Sequence, residues 1–350
     1  MDIKYESIMG SEKFDQGVLG IHHVTAIARD PQKNIDFYTG ILGLRLVKIT
    51  VNFDDPTNYH LYYGDELGRP GSIISFFPLE YVQQGWRGTG QVDTISFSIP
   101  ENAIEYWINR FKDKGISHRG PTKRFNSEQI ITFVDHDGVK LELVASKEAE
   151  NRKINAWNGG PISIEHAIRG LHSITLTLEG YEKTVSLLTQ TLGFSRIQNE
   201  GNRVRFQIDD TVGGEKVQTT VNSAPSIVDI ICHPYSHRGT SGPGTVHHVA
   251  WRTPTNENQA EIRNRIVKVG LNVTPVIDRV YFNSIYFREP GDVLFEIATD
   301  TPGFLVDQES AELGNKLVLP KWLEPKRIYI EKTLPSLKIP SKGNMGPETK

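Results

Sequence analysis

Two histidine pairs carry the strongest chemical signal in this 350-residue chain: His22-His23 in GIHHVTAIA and His247-His248 in TVHHVAWRT. Each opens a run that reads as a strand, where successive side chains point to opposite faces, so the two members of a pair cannot share a face. In the first run Val24, Ala26 and Ala28 form the apolar face, which leaves His23 with Thr25 on the other. In the second, Val249 and Trp251 are apolar, which leaves His248 facing away from a covering helix. The same alternation in VLFEIAT (293–299) puts Val293, Phe295 and Ile297 on the apolar side and Glu296 on the open side. Two imidazoles and one carboxylate with coordination positions left over are the donor set of non-haem Fe(II) oxygenases. Three protein ligands hold the ion, and the remaining positions accept substrate oxygen and O2 side by side. A single carboxylate leaves residual positive charge, which favours an ionised hydroxyl. Zn(II) with two histidines, a glutamate and water is the competing metal, and Mn(II) is a further alternative.

These residues recur in a repeat. Four segments read as a strand, then a helix, then short β-type runs: they open at 20–28, 91–99, 170–178 and 245–253. Taking His23, Thr94, Ser173 and His248 as equivalent, the steps are 71, 79 and 75 residues. From those positions to Gly43, Gly115, Gly193 and Gly270 the gaps are 20, 21, 20 and 22. Glycine just past a helix is favoured there because it takes the left-handed conformation without a Cβ clash. Each copy reads βαβββ. Glu296 lies 48 residues after His248 and Glu142 lies 48 after Thr94, with Ser75 and Asp229 at the corresponding places in copies one and three. Copies one and four together supply two histidines and a carboxylate.

Other candidates are judged against plainer roles. Parity makes His22 and His247 packing residues. His60, His118, His136, His233 and His237 are expected on the surface or in loops. His172 stands at the first-histidine position of copy three, but Ser173 replaces the ligand, so that site is expected to be vestigial. Glu142 is expected to be a structural or solvated carboxylate, with a second, weaker metal site as the alternative. The two arginines of EGNRVRF (200–206) share a face and are expected to be solvated. Tyr286 precedes the glutamate on a neighbouring strand. Arg279, in IDRVYF, either stabilises an anionic oxygen or lies on the surface.

The composition sets bounds. Lys and Arg number 39 against 42 Asp and Glu, for a net charge of −3, with the basic residues scattered, so a nucleic-acid partner is not expected. Cys232 is the lone cysteine, which excludes an intrachain disulfide and offers no thiol chemistry. No apolar run approaches the roughly 20 residues that span a bilayer, and no signal peptide is read at the N-terminus, so a cytoplasmic chain without a membrane partner is expected. There is no P-loop, dinucleotide fingerprint or GxSxG elbow. The expected organisation is an N-terminal half at 18–145, a linker at 146–169, a C-terminal half at 170–302, and a tail at 303–350 packing on the body to about residue 338. The first fifteen and last dozen residues are expected to fray.

Repeated βαβββ modules with HHV strands and a late FE strand resemble the vicinal oxygen chelate superfamily, which includes glyoxalases, fosfomycin and bleomycin resistance proteins and extradiol dioxygenases. Within it, GIHHVTA, YHLYYGDELGRPGSIISFFP, PISIEHAIRG and GTVHHVAWRTP resemble the hydroquinone-type ring-cleaving dioxygenases, over roughly residues 18–335. The resemblance implies an α+β fold of four βαβββ modules paired into two open barrel-like sheets with helices outside. It implies an Fe(II) site with His23, His248 and Glu296 as ligands, and roles beside them for His22, Thr25, His247, Arg279 and Tyr286. His247 or His22 would serve as acid or base, and Tyr286 with Arg279 would stabilise negative charge on oxygen. The partners implied are a small aromatic diol and O2, in aromatic degradation or quinone detoxification, and the paired modules are compatible with a homo-oligomer. The rival expectations are a glyoxalase-like metal-dependent isomerase or thiol transferase, and a protein that sequesters an aromatic ligand.

Overall fold

A computed structural model describes residues 17–125, 127–147, 149, 156–208, 211, 212, 215, 216 and 225–339. The ends expected to fray lie outside these residues apart from Ile339, as do residues 151–155 of the linker. The four modules follow in order. The first comprises β1 (Ile21–Ala28), α1 (Pro31–Ile35), β2 (Arg45–Val51), β3 (Tyr59–Gly64) and β4 (Ile73–Pro78). The second comprises β5 (Gln91–Pro100), α2 (Ile104–Asp113), β6 (His118–Arg124), β7 (Glu128–Val134) and β8 (Lys140–Ser146). The third comprises β9 (Leu171–Leu178), α3 (Glu182–Gln190), β10 (Phe194–Glu200), β11 (Arg203–Ile208), a short hairpin of β12 (Thr211–Val212) and β13 (Glu215–Lys216), and β14 (Ile227–Cys232). The fourth comprises β15 (Val246–Thr253), α4 (Asn256–Lys268), β16 (Ile277–Asp278), β17 (Phe282–Arg288) and β18 (Leu294–Pro302).

Local chemistry sets the helix ends. Asp30 caps α1, its carboxylate accepting from the Gln32 and Lys33 amides at 2.8 and 3.1 Å, with proline at the first helical position. Gly43, Gly115, Gly193 and Gly270 all take positive φ, between 67° and 87°, as the repeat predicts.

The strands assemble into two eight-stranded sheets, in the orders β16-β17-β18-β15-β1-β4-β3-β2 and β10-β11-β14-β9-β5-β8-β7-β6. Module one thus shares a sheet with module four, and module two with module three. The joints are antiparallel, β1 on β15 and β5 on β9. Within each module the first strand runs parallel to the last, and the register is the same in all four: Thr25 opposite Ser75, Ser96 opposite Glu142, Thr175 opposite Asp229, Ala250 opposite Glu296. The 48-residue phasing is therefore a true structural equivalence.

The apolar face of each sheet is buried under its helices, so that Val24, Ala26, Val249, Trp251, Phe295 and Ile297 join one core. In the described part of the tail Leu319, Leu323, Ile330 and Leu334 are buried, and the Lys338 amide donates to Gln32 at 2.7 Å. Lys48, fully buried, anchors it by bonds to Asp307 and Gln308 at 2.5 and 2.6 Å. No helix among the described residues is long and apolar enough to cross a membrane.

Candidate metal centre

His23 on β1, His248 on β15 and Glu296 on β18 stand on three adjacent strands and face the same side, opposite the helices. Their donor atoms converge: His23 Nε2 lies 3.3 Å from His248 Nε2 and 3.4 Å from Glu296 Oε2, and His248 Nε2 lies 2.9 Å from Glu296 Oε2. All three residues are buried. Among the described residues this is the one group of three or more His, Cys, Asp or Glu side chains that could hold a metal ion.

The donor set fits a divalent cation. Three ligands each about 2.1 Å from one centre are separated by about 3.0 to 3.4 Å for octahedral or tetrahedral angles, which is the observed range. Burial lowers the His248 pKa against the opposing pull of the Glu296 carboxylate. Burial alone would raise the pKa of Glu296, but His23 and His248 outweigh it and hold the carboxyl well below the usual range. Glu296 Oε2 is buried without a hydrogen-bond donor. With the Nδ1 atoms carrying the protons, lone pairs of two imidazoles and a carboxylate face one another, an arrangement that a cation relieves.

The surroundings fix these side chains. His23 Nδ1 lies 2.9 Å from His22 Nδ1, and His248 Nδ1 lies 2.7 Å from His247 Nδ1. Adjacent strand residues meet in this way because both joints of β1 and β15 are bulged: Ile21 and His23 pair with Trp251 and Ala250, while Thr25 and Ala26 pair with His248 and Val246. His22 and His247 are the extra residues, so strict alternation is lost at the site and neither is a mere packing residue. The Glu296 carboxylate accepts from Ser284 on β17 through Oε1 at 2.5 Å; the sequence reading missed this serine, two residues before Tyr286 on the same face.

A cavity of about 380 Å³ opens onto the three donors. Phe53, Phe77, Leu79, Phe282 and Leu294 supply apolar wall, and His247, Tyr286 and Arg279 line it as well. Tyr286 is the register partner of Glu296, and its ring centroid lies 5.8 Å from that of His248. Arg279 Nε lies 3.3 Å from the Tyr286 hydroxyl and its guanidinium reaches Asp54 at 3.0 Å, so it is a wall residue of the cavity rather than a free surface arginine. Burial pulls the Arg279 pKa down, but Tyr286 and Asp54 outweigh it and the group stays charged. Burial pushes the Tyr286 pKa up, keeping the phenol protonated. His247 keeps an exposed edge, while desolvation inside the cavity and the neighbouring His248 push its pKa down to about 3. His22 is buried against Phe282, does not line the cavity, and has its pKa lowered by burial.

Thr25 is buried beneath this wall, with its hydroxyl 2.8 Å from Ser75 Oγ. Ser75 in turn lies 3.0 Å from His60 Nε2, and His60 Nδ1 lies 2.9 Å from the Tyr62 hydroxyl. His60 is thus not a surface or loop residue: it stands on β3 and lines the cavity with Tyr62. The signal was present in YHLYYG, where Tyr59, Leu61 and Tyr63 are core and His60 and Tyr62 alternate away from it.

The equivalent place in modules two and three is filled by charge. Glu142 Oε2 accepts from Arg124 at 2.9 Å and Ser96 at 2.8 Å. Asp229 accepts from Arg203 and Arg205, and Arg205 also binds Glu128, to which Arg124 donates at 2.9 Å. His172, at the bulge position, lies 3.4 Å from Glu128. The arginines of EGNRVRF are therefore not solvated: Arg205 is buried and Arg203 half-buried, because their strand turns that face onto the buried carboxylates of Asp229 and Glu128. Glu142 is a structural carboxylate with its oxygen committed to a guanidinium.

The profile of the Glyoxalase/Bleomycin resistance protein/Dioxygenase superfamily matches residues 20–143 and 170–297. The chain is 44% identical over 316 residues, covering 90% of it and 96% of the relative, to MhqO of Bacillus subtilis (strain 168), whose name carries an inferred ring-cleaving dioxygenase assignment. It is 31% identical over 315 residues, covering 88% of it and 93% of the relative, to the chlorohydroquinone/hydroquinone 1,2-dioxygenase of Sphingobium indicum. A crystal structure of a Bacillus subtilis protein with an inferred dioxygenase assignment superposes with a TM-score of 0.85 at 42% identity, covering 93% of this chain and 99% of that one.

Proposed function

The chain belongs to the Glyoxalase/Bleomycin resistance protein/Dioxygenase superfamily, and from that footing we propose that it is a non-haem Fe(II)-dependent ring-cleaving dioxygenase acting on a hydroquinone-type diol. The observation that carries the reading is the convergence of His23, His248 and Glu296 at an apolar-walled cavity that also holds His247, Tyr286 and Arg279. The names of the relatives support the reaction class. Fe(II) bound by the three side chains would supply neighbouring positions for an ionised substrate oxygen and for O2, with electrons passing between them.

The residues divide the remaining work. His22 and His247 hold the ligand rings through Nδ1, and Ser284 holds the Glu296 carboxylate through Oε1. His247 is the imidazole that reaches the cavity, and with its Nδ1 accepting from His248 its Nε2–H is the group free to donate a hydrogen bond to a substrate oxygen. Tyr286 donates to the substrate oxygen as negative charge develops there, with Arg279 beside it to hold the phenol and add positive potential. Phe77 and Phe282 clamp the ring and exclude water.

The isomerase reading wants a fourth ligand on module one, where Ser75 stands, already bonded to Thr25 and His60. Anaerobic loading with Fe(II), followed by oxygen uptake with hydroquinone, methylhydroquinone and catechol, tests the proposal. Stoichiometric uptake with a hydroquinone is expected; no uptake with any of the three, with zinc as the tightly held metal, would overturn it.

A further inference from the structure

Four side chains on three adjacent strands form a hydrogen-bonded row beside the candidate site: Thr25 on β1, Ser75 on β4, and His60 and Tyr62 on β3. The links are 2.8 Å from Thr25 to Ser75, 3.0 Å from Ser75 to His60 Nε2, and 2.9 Å from His60 Nδ1 to Tyr62. His60 is pinned between Tyr62 and Phe77, with ring centroids 4.0 and 4.2 Å away. Burial keeps its imidazole neutral. Tyr286 and Arg279 stand on the other side of the ligand strands in the sheet order.

A count of protons shows what the row leaves over. Three hydroxyls and a neutral imidazole carry four protons, and three links use three of them. If the row runs from Thr25 toward Tyr62, His60 donates to the phenol oxygen and the Tyr62 O–H is free to donate. If it runs the other way, Tyr62 donates to His60 and its oxygen has a lone pair to offer. In either sense Tyr62 has one bond still to make, and no second partner for it stands among the described residues. A buried hydroxyl on a cavity wall with an unused bond is a recognition point.

We propose that Tyr62 binds the second oxygen of the substrate, the one remote from the oxygen held at the His23, His248 and Glu296 end, and that His60 is the positioning residue that aims it. Three hydrogen-bonded links and the intervening β4 separate Tyr62 from Thr25, the neighbour of His23 on the open face, so the contact reaches an oxygen across the ring rather than one adjacent to the first. Because the row can reverse, Tyr62 accepts from that oxygen as a hydroxyl and donates to it as a ketone. The substrate class is then a diol with its hydroxyls on opposite sides of the ring, which rests on the ring-cleaving function proposed above.

The test is anaerobic titration calorimetry of the metal-loaded protein with hydroquinone and with phenol, which lacks the remote oxygen. The wild type is expected to bind hydroquinone about tenfold more tightly, the worth of one well-placed hydrogen bond. Tyr62→Phe should bring the two ligands level while phenol binding and metal content stay unchanged. His60→Leu should remove most of the preference and His60→Gln restore part of it, a pattern that loss of packing alone does not produce. Ser75→Ala, which breaks the row without touching the cavity, should reduce the preference and serves if Tyr62→Phe does not fold. A full preference retained in Tyr62→Phe, or in both His60→Leu and Ser75→Ala, overturns this inference and leaves the ring-cleaving function standing. A wild type that binds neither ligand and consumes no O2 overturns both.

Discussion

Asp54 and Arg279 meet at 3.0 Å across the rim of the cavity. One follows β2 and the other precedes β17, so the ion pair joins the two ends of a single eight-stranded sheet and closes its curl over the cavity that holds His23, His248 and Glu296. Asp54 is largely exposed, and such a pair is worth at most about 1 kcal/mol of stability. Its effect is on aim, because the same guanidinium holds the Tyr286 hydroxyl. Arg279→Gln should lower kcat for hydroquinone about a hundredfold, as loss of a charge-stabilising group does, and Asp54→Asn only about threefold. Oxygen-uptake kinetics read both, and equal effects would show that the clasp, not the cation, matters.

Ser284 donates to Glu296 Oε1 and leaves Oε2, the oxygen that faces His23 and His248, without a donor. Ser284→Ala should weaken metal affinity about 10- to 100-fold, the usual cost of removing an outer partner of a ligand. Competition against a calibrated chelator measures it, and the melting temperature of the metal-free protein should hardly move.

The charged cluster of modules two and three is a stability element. Arg205→Met removes the cation that hydrogen-bonds both Glu128 and Asp229 and should cost about 3 to 5 kcal/mol in denaturant unfolding. Metal content should be unchanged, since the triad lies on the other sheet.

The same cluster sets the acid limit. Burial alone would raise the pKa values of Glu128 and Asp229, but His172 and Arg205 at the first and Arg205 at the second outweigh it, and both fall below the ordinary carboxylate range of about 4 to 4.5. Carboxylates with depressed folded pKa values stabilise the protein above those unfolded values, and the contribution is lost as pH falls below them. Unfolding free energy should therefore drop steeply below about pH 4.5. Glu128→Gln should be less stable at neutral pH and show a shallower acid slope in the same titration.

The capping glycines separate two costs. A Cβ at Gly115 meets nothing within 4 Å, so Gly115→Ala should cost only the left-handed backbone penalty, about 1 kcal/mol. At Gly43 a Cβ would sit 2.7 Å from the Ile162 side chain, so Gly43→Ala should cost more. Urea unfolding of the two variants side by side checks the order.

Residue periodicity and spacing alone determined the βαβββ repeat, the glycine caps, the open face carrying His23 and His248, and the phase of Glu296. These are local properties: a strand has a period of two, and a left-handed cap has one preferred residue. Tertiary structure decided the rest. Which module pairs with which depends on long-range hydrogen bonding at β1–β15 and β5–β9, and bulges there override alternation at His22 and His247. His60 and Tyr62 come to line the cavity, and Ser284 to bond Glu296, because a curled sheet brings distant strands together. The arginines at 203 and 205 read as solvated for the same reason in reverse: only folding places Glu128 and Asp229 against them, and a buried charge is tolerated only where its partner is already waiting.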